Sequence, residues 1–180
     1  KTKKEKQKMI KSKFNWEAVS KKLNEQKTSG SKPIDDLVPH NAKLVGMVFT
    51  GPETISFKGE EKTKDNLILI FALESGRVYS TKVAISFHEK SKLYKYLTGW
   101  NQPCELGPNL LDQNALLFFE NKQGTNKNGE TKTYTNLTRV APAKKEVELK
   151  EPVQCPQWIL NSYGEENIAA GEFLTTEVVV

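Results

Sequence analysis

The feature that most constrains this chain is the order of its apolar patterns between residues 42 and 143. Three strand-like runs, at 43–50, 66–73 and 78–86, come first. An amphipathic stretch at 89–99 follows, and two more strand-like runs close the region at 115–122 and 131–141. Period-two alternation marks the strands, and apolar residues three and four apart mark the helix. Five strands with one helix between the third and the fourth predict a mainly β fold. The matching architecture is a five-stranded OB-fold-like Greek-key barrel, a scaffold used for oligonucleotides.

Local chemistry supports each element. Leu67 to Leu73 is apolar at every position, which requires cover on both faces of that strand. In the next run Tyr79, Thr81, Val83 and Ile85 point one way, and Ser80 and Lys82 the other. Glu74-Ser75-Gly76-Arg77 between them predicts a hairpin. Leu93, Tyr96, Leu97 and Trp100 form one helical stripe, suited to plugging a barrel end, with Lys90, Lys92 and Lys95 largely off it. Residues 51–65 and 121–130 read as polar loops, and 101–108 as a loop with two prolines.

The ends differ in composition, which predicts three regions: a basic arm at 1–41, the barrel at 42–143 and an acidic arm at 144–180. Residues 1–32 hold eleven Lys against three Glu, a net of +8, whereas residues 144–180 hold three Lys against seven Glu, a net of −4. Such a gradient suits a protein that meets polyanions with one part only. In the first arm Trp16, Val19 and Leu23 predict a short helix. In the last, 144–150 suits an edge strand or extended arm, and 157–163 a short helical turn bearing Trp158. The valines at the end suit pairing with a sheet edge or recognition by a partner.

Function follows by exclusion and then by parity. No apolar run reaches roughly 18 residues, so no membrane span is expected. Cys104 and Cys155 are unpaired by spacing, and the basic start leads into no apolar signal region; both predict a cytoplasmic protein. Two histidines without ligand spacing predict no metal, and the absence of phosphate-loop, nucleophile-elbow or paired-carboxylate motifs predicts no cofactor and no catalysis. His88, at the head of the helix, is read as a capping or packing residue.

Eleven of sixteen aromatics lie in 42–143 among thirteen basic residues. Rings that stack on bases, with cations that follow phosphates, are what a single nucleic-acid strand needs. On the fourth strand Ala115, Leu117 and Phe119 share the core face, leaving Phe118 and Lys122 outside. On the fifth, Lys132, Tyr134 and Asn136 lie opposite Leu137. The expected nucleic-acid-binding residues are therefore Lys82, Phe118, Lys122, Lys132 and Tyr134. The strand would lie across them, between the loops at 51–65 and 121–130.

Residues 87–100, FHEKSKLYKYLTGW, resemble the "hPKSnLrkfLeaW" helix of a small family of phage and mobile-element proteins. Residues 131–137, TKTYTNL, are similar to that family's "GKtYaNI" last strand, and Asn109-Leu110-Leu111 to its "nLLGK" segment. Glu89 stands where the family has Pro, and Asp112-Gln113 where it has Gly-Lys. The resemblance covers about residues 42–143. It implies an OB-like fold similar to single-stranded DNA-binding proteins of phage, working in bacterial cytoplasm, and implies no site residues.

Two functions follow as expectations. The first is a non-enzymatic single-stranded DNA-binding protein of replication or recombination, with RNA as the other nucleic acid, other replication or assembly proteins as partners through the arms, and a homo-oligomer as a further expectation. The second is a structural or adaptor subunit whose arms grip other proteins, with Trp16 and Trp158 as anchors.

Overall fold

In the computed structural model the described residues are 32–126, 128–164 and 178–179, the side chains of Phe57, Val178 and Val179 excepted. The expected Trp16 helix and the acidic stretch at 165–177 lie outside them. The strands are β1 (His40–Phe57), β2 (Glu60–Leu73), β3 (Val78–Ala84), β4 (Asn114–Thr125) and β5 (Thr131–Pro142). They form one antiparallel sheet in the order β3-β2-β1-β4-β5. Helix α1 (Lys92–Gly99) and a 3-10 turn (Pro108–Leu110) lie in the chain between β3 and β4.

β2 explains the layering. Leu67, Leu69, Phe71 and Leu73 enter one core with Leu44, Met47, Val83, Ala115, Leu117, Phe119, Leu137 and Val140. The α1 stripe of Leu93, Tyr96, Leu97 and Trp100 packs into the same core. The alternate β2 residues Ile68, Ile70 and Ala72 join Val45 and Val48 on the other face. That face is covered by Val153 of β6 (Val153–Gln154), Cys155 just after it and Ile159 of α2 (Gln157–Tyr163). Packing therefore does not stop at residue 143, and the compact unit that begins at Ile34 takes in the described residues through 164. Beyond these, β7 (Val178–Val179) pairs in parallel with β6, in a two-stranded sheet separate from the large one.

The two edges of the large sheet are joined by side chains. The Tyr79 hydroxyl of β3 accepts from Leu137 N at 3.0 Å and donates to Thr135 O at 3.4 Å on β5. The Tyr96 hydroxyl of α1 donates to Leu137 O at 2.7 Å. In an antiparallel ladder the N–H and C=O of one residue point to the same side. Leu137 turns both toward the edge, and two tyrosines satisfy them. Below this seam Ile34 is buried in the core, and Asn121 holds its segment: Nδ2 donates to Ile34 O at 2.7 Å, and the backbone N to Asp36 Oδ2 at 2.9 Å.

Several boundaries differ from expectation. Residues 51–65 are not a loop: β1 and β2 continue as a ribbon to a two-residue turn at Lys58-Gly59, where both φ angles are positive (54° and 80°). Such a turn matches strand twist, but the ribbon's charged sequence hides its period. Likewise 121–125 belong to β4, and the turn is confined to 126–130. There Asn126 Oδ1 accepts from the backbone N of Asn128 and Glu130. α1 begins at Lys92, not residue 89, because Ser91 Oγ caps it by accepting from Tyr94 N at 3.2 Å. β3 ends at Ala84 instead of Ser86, whose carbonyl accepts from Ser91 Oγ. Residues 144–150 form no strand, although Val147 is buried. No helix among the described residues is long and apolar enough to cross a membrane.

Candidate nucleic-acid interface

The outward face of β4 and β5 is a ladder of facing residues. Its rungs are Leu116–Ala141, Phe118–Arg139, Glu120–Asn136, Lys122–Tyr134 and Gly124–Lys132. Four of the five residues expected from parity (Phe118, Lys122, Lys132 and Tyr134) come together here. The β4 inward set of Ala115, Leu117 and Phe119 is buried, as alternation requires.

Tyr134 is 46% exposed, yet it is not a loose ring. It lies over Gly124, where an added Cβ would sit 3.0 Å from Tyr134 Cε2 and 3.3 Å from Cδ2. The missing side chain at residue 124 thus lets the ring rest on the backbone, with its other face open to solvent. At the far end Phe118 is half-buried, with the Arg139 guanidinium carbon 5.0 Å from its ring centroid. A guanidinium at this distance is held by the ring's quadrupole, and its outer plane is itself a stacking surface. Between the two stations Lys122 Nζ pairs with Glu120 Oε2 at 3.1 Å. Lys132 is exposed and makes no ion pair among the described residues.

Arg139 is the residue that strand parity misses. Alternation from Leu137 would turn Arg139 inward. A bulge removes Thr138 from the pairing, so Phe119 faces Leu137 and Phe118 faces Arg139. One extra residue resets the alternation, putting Val140 inward and Arg139 outward. The signal is present in the sequence: two core residues, Leu137 and Val140, stand three apart instead of two.

Lys82 does not belong to this cluster. Its ammonium binds Glu53 at 2.8 and 3.1 Å, and Glu53 also accepts from Asn66 Nδ2 at 3.0 Å and the Tyr163 hydroxyl at 3.2 Å. This knot ties β1, β2, β3 and α2 together. The Lys82 hydrogen bond holds the Glu53 carboxyl below its ordinary range, and Glu53 raises the lysine in return. Trp158 is likewise engaged within the chain, donating from Nε1 to Ser80 Oγ at 2.9 Å.

The histidines have local roles. His40 Nε2 bonds to Asp35 O, and His88 Nδ1 accepts from Lys90 N at the approach to α1. No group of three or more His, Cys, Asp or Glu among the described residues could hold a metal ion. Chemically the β4–β5 face offers a phenol ring, a guanidinium plane, two ammonium groups and one carboxylate–amide rung. The chain matches no family model, no curated protein and no solved structure.

Proposed function

We propose that the protein is a non-enzymatic single-stranded DNA-binding protein of a phage or mobile element, serving replication or recombination, with an OB-like Greek-key barrel as its scaffold. The connectivity supports the scaffold: β1 is shared by β2 and β4, a helix precedes β4, and Tyr79 draws β3 and β5 together. The observation that carries the function is the pair of braced stacking surfaces, Tyr134 on Gly124 and Arg139 on Phe118, flanked by Lys122 and Lys132. Stacking supplies roughly 1–3 kcal/mol per base and works on any sequence. Duplex DNA hides its ring faces, so such a surface favours unpaired strands.

The test is affinity for a mixed-sequence single strand, for duplex and for RNA across a salt series. Neutralising three phosphates through Lys122, Lys132 and Arg139 gives a log–log salt slope of about −2, steeper with the basic head engaged. Single-strand affinity that does not change with salt would sink this reading.

One observation favours a second reading, an adaptor within an assembly of proteins. Leu37 is 88% exposed beside half-exposed Val38, on a turn fixed by Asp35 Oδ1 and Asp36 Oδ2. Two apolar side chains held outward by a rigid turn suit a protein contact. Under this reading no nucleic acid binds, and L37S/V38S lowers the apparent mass of the assembly.

A further inference from the structure

Glu120 is out of place on a surface meant only to grip phosphates. A carboxylate repels the backbone, and its position gives it no structural duty in the core. It lies on the outward face of β4, two residues from Phe118 and two from Lys122. Its side chain is 50% exposed, and the ammonium of Lys122 contacts one carboxylate oxygen. Asn136 faces it across the rung, also exposed. The rung therefore presents an amide and a carboxylate with one oxygen on Lys122, midway between the two stacking stations.

Spacing gives the rung a role. At a strand rise of about 3.3 Å per residue, the Phe118 and Lys122 rungs are roughly 13 Å apart, with Glu120 about 7 Å from each. A strand that stacks one base on Tyr134 and another on the Arg139 plane must pass an intervening base edge over Glu120 and Asn136. A carboxylate only accepts hydrogen bonds. It matches the exocyclic amine of cytosine, adenine or guanine; the Asn136 amide can add a donor and an acceptor. Thymine and uracil carry a carbonyl oxygen where cytosine has its amine, which meets the carboxylate as acceptor against acceptor and leaves only the ring N3–H, flanked by two carbonyls, as a donor.

We propose that Glu120, with Asn136 opposite, is a specificity-determining residue that makes this face prefer bases with an exocyclic amine over thymine and uracil. The proposal rests on the single-strand reading of the face. Lys122 is what makes the carboxylate tolerable there, because it offsets the charge without covering both oxygens.

Oligo-dC and oligo-dT of equal length test it at neutral pH with the full chain, since the two pyrimidines are alike in size and differ at this edge. The parent should bind oligo-dC about tenfold more tightly, the lower end of the discrimination one good base contact gives. E120A should bring the ratio close to one, chiefly by raising affinity for oligo-dT. Y134A should weaken both strands alike and keep the ratio. Tight binding of both strands with no preference, or a ratio that survives E120A, overturns the role of Glu120 and leaves the single-strand reading standing. Failure of both strands to bind overturns that reading and the proposal with it.

Discussion

Removing the Tyr79 hydroxyl tests how the sheet is closed. Tyr79→Phe keeps the ring, which packs against Phe119 at a centroid distance of 4.8 Å, and deletes the oxygen bridging Leu137 N and Thr135 O. The Leu137 amide points away from β4, so no strand replaces the lost acceptor. A buried donor left unpaired costs about 1–3 kcal/mol, more than the roughly 0.5–1.5 kcal/mol net value of an ordinary hydrogen bond. Tyr96→Phe removes the other half of the closure at Leu137 O, from a tyrosine buried deeply enough to push its hydroxyl pKa up to about 12. Both hydroxyls serve one residue, so the double variant should be non-additive in a double-mutant cycle. Urea unfolding should show a lower midpoint at unchanged slope. Hydrogen exchange at the Leu137 amide should speed up in Tyr79→Phe but not in Tyr134→Phe, whose hydroxyl is at the surface. A Leu137 amide that stays as protected as in the parent would refute the closure by tyrosines.

Other outcomes follow from the same contacts. Tyr134→Ala should cost roughly 1–3 kcal/mol of single-strand affinity, while stability falls far less than the 3–5 kcal/mol or so typical of a buried aromatic; a variant that binds normally but melts early would place the ring in the core. Lys132→Ala should flatten the salt slope by a little under one unit, read from affinity across a salt series. The lowered Glu53 pKa means that its contribution to stability is complete above its ordinary value and fades as pH falls through the depressed one. The stability gap between the parent and Glu53→Gln, measured by denaturation, should therefore hold above the ordinary glutamate value of 4.5 and narrow as pH falls below it. Cys104 is exposed, whereas burial raises the Cys155 thiol to about 11. One thiol should react quickly in the native protein and the second only on unfolding; two fast thiols would show that the 153–159 layer is not seated on β2.

Features that depend on neighbours along the chain are legible without the fold. Alternation put Phe119 inside and Phe118 outside, and the unbroken run at 67–73 demanded two covered faces. The spacing of Leu93, Tyr96, Leu97 and Trp100 defined the buried side of α1. These patterns are legible because each is a local period matched to one core. Tertiary structure decided which distant groups meet. Glu53 drew Lys82 into a contact 29 residues away in sequence, apart from the β4–β5 cluster. The second face of β2 could have been covered by any apolar segment, and only packing chose Val153, Cys155 and Ile159. The bulge at Thr138 turned Arg139 onto Phe118, and Gly124 gave the Tyr134 ring its seat. A period records which side of a strand a residue is on; it carries no record of register, bulges or partners, which are fixed when the strands pair and the side chains pack.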